Sequence, residues 1–148
     1  METPTRQVSR RLHEEHQATL ALWARVEATL AAGRNDPALM RSAAASLAEE
    51  IERHFAFEEN ELFPRLAAAG EGDIAELLGE EHVAIREAAL RFIALSRQAF
   101  SKEIQACGLE LAERLVSHVQ KEEMSMLPAL DDLLDAAADA DLAAAYAS

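Results

Sequence analysis

The sequence carries an internal repeat in which histidine and glutamate recur at helical spacing. Residues 12–16 (LHEEH) match residues 78–82 (LGEEH), and residues 54–59 (HFAFEE) match residues 118–123 (HVQKEE). Each half therefore has a histidine on its first segment and a His-x-x-x-Glu motif on its second. Two copies of such a unit predict two similar helical hairpins that pack together in one fold.

Apolar residues follow helical spacing along almost the whole chain, and no stretch alternates as a strand does. The sequence therefore predicts an all-α fold, an up-down-up-down antiparallel four-helix bundle with a short C-terminal helical tail. The four helices are expected at about residues 5–32, 37–68, 73–98 and 101–130. The expected N-caps of the last three are Asp36, Asp73 and Ser101. We interpret residues 1–148 as a single domain, with the bundle at about 5–131 and a weakly anchored tail at about 132–148.

Both His-x-x-x-Glu motifs are predicted to point into the bundle. A residue at i+4 lies about 40° around a helix and 6 Å along it, so each motif projects from one face. That face is apolar before each motif, with Leu47 before His54 and Leu111 before His118. A buried ionised carboxylate costs several kcal/mol unless it is paired or coordinated. A pair of metal ions would satisfy both carboxylates and the imidazole lone pairs together. The predicted ligands are His16, His54, Glu58, His82, His118 and Glu122.

Composition excludes several other classes of function. The net charge of −13, from 27 acidic and 14 basic residues, disfavours nucleic acid and acidic membrane surfaces as partners. No apolar run approaches the roughly 18 residues of a membrane span, and the first residues have no apolar signal core. With a single cysteine, Cys107, the chain cannot form an intramolecular disulfide. We therefore expect a cytoplasmic protein; its oligomeric state is left open.

These motifs together resemble the hemerythrin-like HHE cation-binding domain. The resemblance rests on Glu-His at residues 15–16 and 81–82 and on His-x-x-x-Glu-Glu followed by a proline at Pro64 and Pro128. It covers about residues 10–131. The resemblance implies an oxo- or hydroxo-bridged di-iron pair, with Glu58 and Glu122 as bridging carboxylates. Spacing alone also admits zinc or manganese.

One position departs from the oxygen-carrying members of that family. They have a fifth histidine four residues after the one on the third helix, where this chain has Arg86, which stays protonated and cannot ligate. In this respect the chain looks more like di-iron proteins linked to iron–sulfur cluster repair and nitric oxide stress. The alternative secondary ligands are His13, Glu59 and Glu123, the last two only if the helix is locally distorted. Glu15 and Glu81 are interpreted either as surface charges or as residues that orient neighbouring imidazoles.

The leading hypothesis is a non-haem di-iron protein that binds or reacts with a small diatomic or peroxo ligand, such as oxygen, nitric oxide or peroxide, or that donates iron. A second hypothesis is a metal-dependent iron or oxygen sensor or store without turnover. A third is a bundle with structural zinc or manganese. The sequence does not decide whether the protein is an enzyme.

Overall fold

The computed structural model describes residues 3–147, and every regular element within them is helical. This confirms the all-α prediction for that part of the chain. The α-helices are α1 Gln7–Ala31, α2 Pro37–Glu50, α3 Phe63–Ala68, α4 Gly72–Ser96, α5 Lys102–Lys121, α6 Leu127–Leu133 and α7 Ala136–Ala147.

The second and fourth predicted helices contain wider, π-helical turns. Ile51–Phe55 and Glu58–Leu62 lie between α2 and α3, and Glu122–Met126 lies between α5 and α6. Pro64 and Pro128 sit in the first turns of α3 and α6, where a missing N–H is tolerated.

The predicted caps are confirmed at two of three helix starts. The Asp36 carboxylate accepts a hydrogen bond from Leu39 N at 3.0 Å, and the Ser101 hydroxyl accepts one from Ile104 N at 3.3 Å. The prediction for Asp73 is wrong. Because α4 already begins at Gly72, Asp73 lies in its first turn, and no side chain caps this helix.

Helices α1, α2, α4 and α5 pack as a helical bundle. Contacts join α1 to α5, α4 to α5, α2 to α4 and α1 to α2. Their up-and-down order stays a prediction. No helix within residues 3–147 combines the length and apolarity that crossing a bilayer requires.

A layer of buried polar side chains separates two apolar clusters of the core. The layer consists of His16, His54, Glu58, His82, His118 and Glu122. On α1, His16 lies between Leu12 of one cluster and Trp23 of the other. On α4, His82 lies in the same way between Leu78 and Ile85. The histidines therefore lie at one level of the bundle, with apolar packing on both sides.

The C-terminal segment is anchored more firmly than the sequence predicted. Helix α7 packs against α1, and its Asp139 carboxylate accepts hydrogen bonds from Gln7 N at 2.9 Å and Val8 N at 3.0 Å. Asp131 accepts two more from Thr5 N and Arg6 N, at 2.8 and 3.0 Å. The first N–H groups of a helix need acceptors, and Arg6 at the N-cap of α1 supplies none from its side chain. The expectation of a weakly anchored tail is wrong, because Asp139 of that tail caps the start of α1.

Candidate metal centre

The six predicted ligands come together in the buried polar layer. His16, His82 and His118 project from α1, α4 and α5, while the other three lie in the π-helical turns. His54 is near the end of the first π-turn, and Glu58 and Glu122 begin the second and third. All six side chains are at most 2% exposed.

These residues form two groups that share both glutamates. One group contains His16 and His54 with Glu58 and Glu122, and the other contains His82 and His118 with the same two glutamates. Within each group the candidate ligand atoms all lie within 4.8 Å of one another. We call them the first and second groups, after the repeat halves that supply their histidines.

The inward-facing imidazole nitrogens and carboxylate oxygens of the two groups lie against one another, with N–O distances of 2.9 to 3.3 Å. His82 Nε2 and His118 Nε2 are only 3.1 Å apart, so two lone pairs would face each other without a proton or a cation between them. The buried oxygens Glu58 Oε1 and Glu122 Oε2 lie 3.1 Å from His82 Nε2 and 3.3 Å from His118 Nε2, respectively. Polar atoms packed this closely away from solvent need protons or metal ions between them.

A glutamate carboxylate contacts the outward-facing nitrogen, Nδ1, of each of the four histidines. In all four contacts the imidazole Nδ1 donates to a glutamate oxygen. The pairs are His16–Glu123 at 2.6 Å, His54–Glu15 at 3.0 Å, His82–Glu59 at 2.6 Å and His118–Glu81 at 2.8 Å. An ionised carboxylate only accepts hydrogen bonds, so each Nδ1 carries a proton. Each Nε2 faces inward and can bind a metal ion once any proton on it has left. Carboxylates paired in this way orient metal-binding histidines in many metal sites.

These contacts choose between readings that the sequence had left open. Glu15 and Glu81 orient imidazoles and are not simply surface charges. Glu59 and Glu123 lie outside both groups, although the helix distortion that would have made them alternative ligands is present. A π-turn rotates consecutive residues differently from an α-turn. Here Glu58 and Glu122 reach the centre of the layer while the glutamate after each reaches a histidine of the other half.

His13 and Arg86 contact the glutamates that hold the histidines, not the two groups themselves. His13 Nδ1 is 2.5 Å from Glu123 Oε1, and its side chain is 29% exposed. Arg86 makes a two-pronged contact with Glu59, with N–O distances of 2.6 and 2.9 Å. The structure thus places His13 around the two groups and not within them. Arg86 holds the Glu59 carboxylate.

The buried carboxylates raise the pKa values of His16 and His118. Burial alone would lower the pKa of His16, but its hydrogen bonds to Glu122 and Glu123 outweigh that effect and raise it to about 9. At His118 burial is likewise outweighed, by the charge and hydrogen bond of Glu122, and the pKa rises to about 10. Burial would raise the pKa of Glu122, but the His118 charge holds it well below its ordinary value. The layer attracts positive charge, whether from protons or from metal ions.

A further glutamate near the layer was missed by the sequence reasoning. Glu50 lies one turn before His54 and accepts a hydrogen bond from Thr19 Oγ1 at 3.3 Å. Burial raises its pKa above the ordinary value. Its position at i−4 from His54 was a signal that could have found it. Glu50 also borders a cavity of about 180 Å³ that His54 lines.

The fold and the site define a helical-bundle protein with a buried cation-binding layer. Its donor set of four imidazoles and two shared carboxylates fits metal ions well. The sequence model of the Hemerythrin HHE cation binding domain matches residues 7–130, and the chain belongs to this family. Searches of curated proteins and of solved structures gave no significant match.

Proposed function

We propose that the two groups hold two iron ions, one each, with Glu58 and Glu122 shared between them. The observation that carries this proposal is the sharing itself. Two sets of donors, each within 4.8 Å, use the same two carboxylates. Each carboxylate directs one oxygen at a histidine Nε2 of the first group and the other at one of the second group, at 2.9 to 3.3 Å. Two histidines with carboxylates at each position form a donor set that suits non-haem iron.

The chain's own residues would prepare this site before any ion arrives. The four outer glutamates hold every imidazole in the tautomer that presents Nε2 inward. They also make the imidazoles more basic, because a hydrogen bond to an anion stabilises positive charge on the ring. Apolar clusters on both sides of the layer restrict water. The protons now held on the histidines would leave as an ion binds.

Iron in such a site would supply a change of oxidation state and coordination positions that a small ligand can occupy. We propose oxygen, nitric oxide or peroxide as that ligand, or donation of iron to an acceptor. The cavity of about 180 Å³ beside His54 supports access by a small molecule. Arg86 stands where oxygen carriers have a histidine, which favours the repair and nitric oxide stress type over reversible oxygen carriage.

A sensor or store without turnover is the second proposal. It is supported by burial of all six donor residues, because ions enclosed in this way exchange slowly with solvent. Structural zinc or manganese would use the same donors. The net charge of −13 supports a small-molecule or metal role over nucleic-acid binding in each case, and we propose a cytoplasmic location.

The test is elemental analysis with absorption spectra before and after exposure to oxygen, peroxide and nitric oxide. A reactive iron protein should contain two irons per chain and change its spectrum with at least one of these ligands. A store should gain stability with iron and show no turnover. A colourless zinc protein that ignores all three ligands would contradict the iron proposal.

A further inference from the structure

Helix α7 reaches back to the metal-binding layer through its last buried residue. Asp139, Leu142 and Tyr146 are buried and lie on one face of α7 at spacings of three and four residues. Asp139 caps the start of α1, as described above. Tyr146 lies two turns further along α7, beside His54 and the residues that hold it.

Tyr146 is enclosed by residues of the first half. Its ring lies 4.5 Å from the Phe57 ring and meets the His54 ring edge-on at 6.3 Å, measured between centroids. The guanidinium carbons of Arg11 and Arg53 lie 5.3 and 4.6 Å from its centroid. Only 4% of the tyrosine is exposed, so its ring has one well-defined position.

The Tyr146 hydroxyl shares a carboxylate oxygen with His54. It donates to Glu15 Oε1, and His54 Nδ1 donates to the same oxygen at 3.0 Å. The other oxygen, Oε2, accepts from Arg53 at 2.8 Å. Glu15 is therefore fixed on both sides, and the tyrosine fixes the oxygen that orients His54.

The second half has no such tyrosine. Glu81 orients His118 as Glu15 orients His54, but its other partner is the ammonium of Lys121. That lysine is 44% exposed and lies on the helix segment of His118 itself. The repeat thus supplies an internal control, one glutamate–histidine pair contacted by Tyr146 of α7 and one whose glutamate is paired with an exposed lysine.

We infer that Tyr146 is a positioning residue. Through it, the packing of helix α7 against α1 and metal binding at the first group stabilise each other. This inference rests on the proposed metal-binding function. Metal binding needs the His54 Nε2 lone pair to point inward, and that orientation depends on the Glu15 oxygen that Tyr146 holds. Coupling between two binding events is reciprocal, so an ion at the first group also stabilises the docked helix.

The test uses the full chain, the Tyr146→Phe variant and the matched variant Lys121→Gln from the second half. Each is titrated calorimetrically with zinc ion, which has no redox chemistry, and then with iron(II) without oxygen. Hydrogen exchange of residues 136–147 is measured with and without zinc. Phenylalanine keeps the packed ring and removes only the hydroxyl, so the variant should still fold.

For Tyr146→Phe we expect one of two ions to bind about tenfold more weakly, the usual cost of losing a group that orients a ligand. Metal should slow exchange in α7 of the wild type and of Lys121→Gln, and should do so much less in Tyr146→Phe. Unchanged metal affinities in Tyr146→Phe would overturn the inference, even if the metal-free variant were less stable. The Tyr146 hydroxyl would then have a structural role only. Loss of metal-dependent slowing in Lys121→Gln would also overturn it. A wild type that binds neither zinc nor iron(II) would overturn the proposed function, and this coupling with it.

Discussion

The two halves of the repeat place the same donors in different surroundings. Both supply a histidine from a first helix and a His-x-x-x-Glu motif from a second, and both surround their histidines with glutamates. The outer contacts differ. The first-group histidines are held by Glu15 and Glu123, whose outer partners include Tyr146 and His13. The second-group histidines are held by glutamates paired with Arg86 and Lys121.

This difference teaches that repeated ligands do not make equivalent metal positions. The inner donors follow from helix spacing, which both halves share. The outer contacts come from residues without counterparts in the repeat, since His13 matches Gly79 and Tyr146 lies beyond the repeated segment. The two groups should therefore differ in affinity although their donors are alike.

The largest expected effect comes from a carboxylate that both groups share. Glu58→Ala or Glu122→Ala should reduce bound iron well below two per chain, because either change removes a donor from both groups. Metal analysis after gel filtration measures this. Glu61→Ala, an exposed change in the same π-turn as Glu58, should retain the wild-type content. Full retention in Glu58→Ala would remove that residue from the ligand set.

The pH dependence should differ in sign between metal affinity and metal-free stability. The pKa values of His16 and His118 are raised from 6.5 to about 9 and about 10. Their contribution to stability is fully present below 6.5 and is lost as pH rises through those values. Metal affinity should rise over the same range, by up to about tenfold per pH unit for each displaced proton. Calorimetry and denaturant unfolding between pH 6 and 10 test both trends, and affinity that falls with pH would contradict the assignment.

Removing one outer carboxylate from each half compares the halves directly. Glu15→Gln and Glu81→Gln should each weaken one of two ions by about 10- to 100-fold, because the imidazole loses its anionic partner. Glu15→Gln should also loosen α7, since Tyr146 donates to that carboxylate, whereas Glu81→Gln should not. Calorimetry with hydrogen exchange separates these outcomes. Equal loosening of α7 in both variants would show that the halves do not differ in this way.

The smallest expected effect is at His13. Because its Nδ1 contacts Glu123 and it lies outside both groups, His13→Ala should leave the iron content unchanged. Metal analysis of the purified variant is sufficient. Loss of one iron would instead identify His13 as a ligand. The first group would then have three histidines and the second group two.

Much of the site was predictable from the sequence because its inner donors obey local rules. Spacing at i+4 places His54 with Glu58 and His118 with Glu122 on one helix face whatever the rest of the chain does. The apolar residues before each motif turn that face inward. The all-α class followed from the same periodicity. The caps at Asp36 and Ser101 were predictable too, since a cap contacts residues only three positions away.

The outer contacts could not be predicted because they join distant parts of the chain. Glu123 meets His16 across 107 residues, and Tyr146 meets Glu15 across 131. Sequence spacing carries no information about pairs so far apart. The weak-tail expectation failed for the same reason, because Asp139 accepts hydrogen bonds from Gln7 N and Val8 N, which lie 132 and 131 residues away.

The sequence by itself determined the class of fold, the repeat and which six residues meet at the centre of the bundle. Only the tertiary structure decided which histidines are contacted by Glu15, Glu59, Glu81 and Glu123. It alone also placed Tyr146 of α7 beside His54. The physical reason lies in the range of the interactions. Helix periodicity is a property of neighbouring residues, whereas hydrogen bonds between helices depend on how the whole bundle packs, including the π-turns that aim consecutive glutamates at different partners.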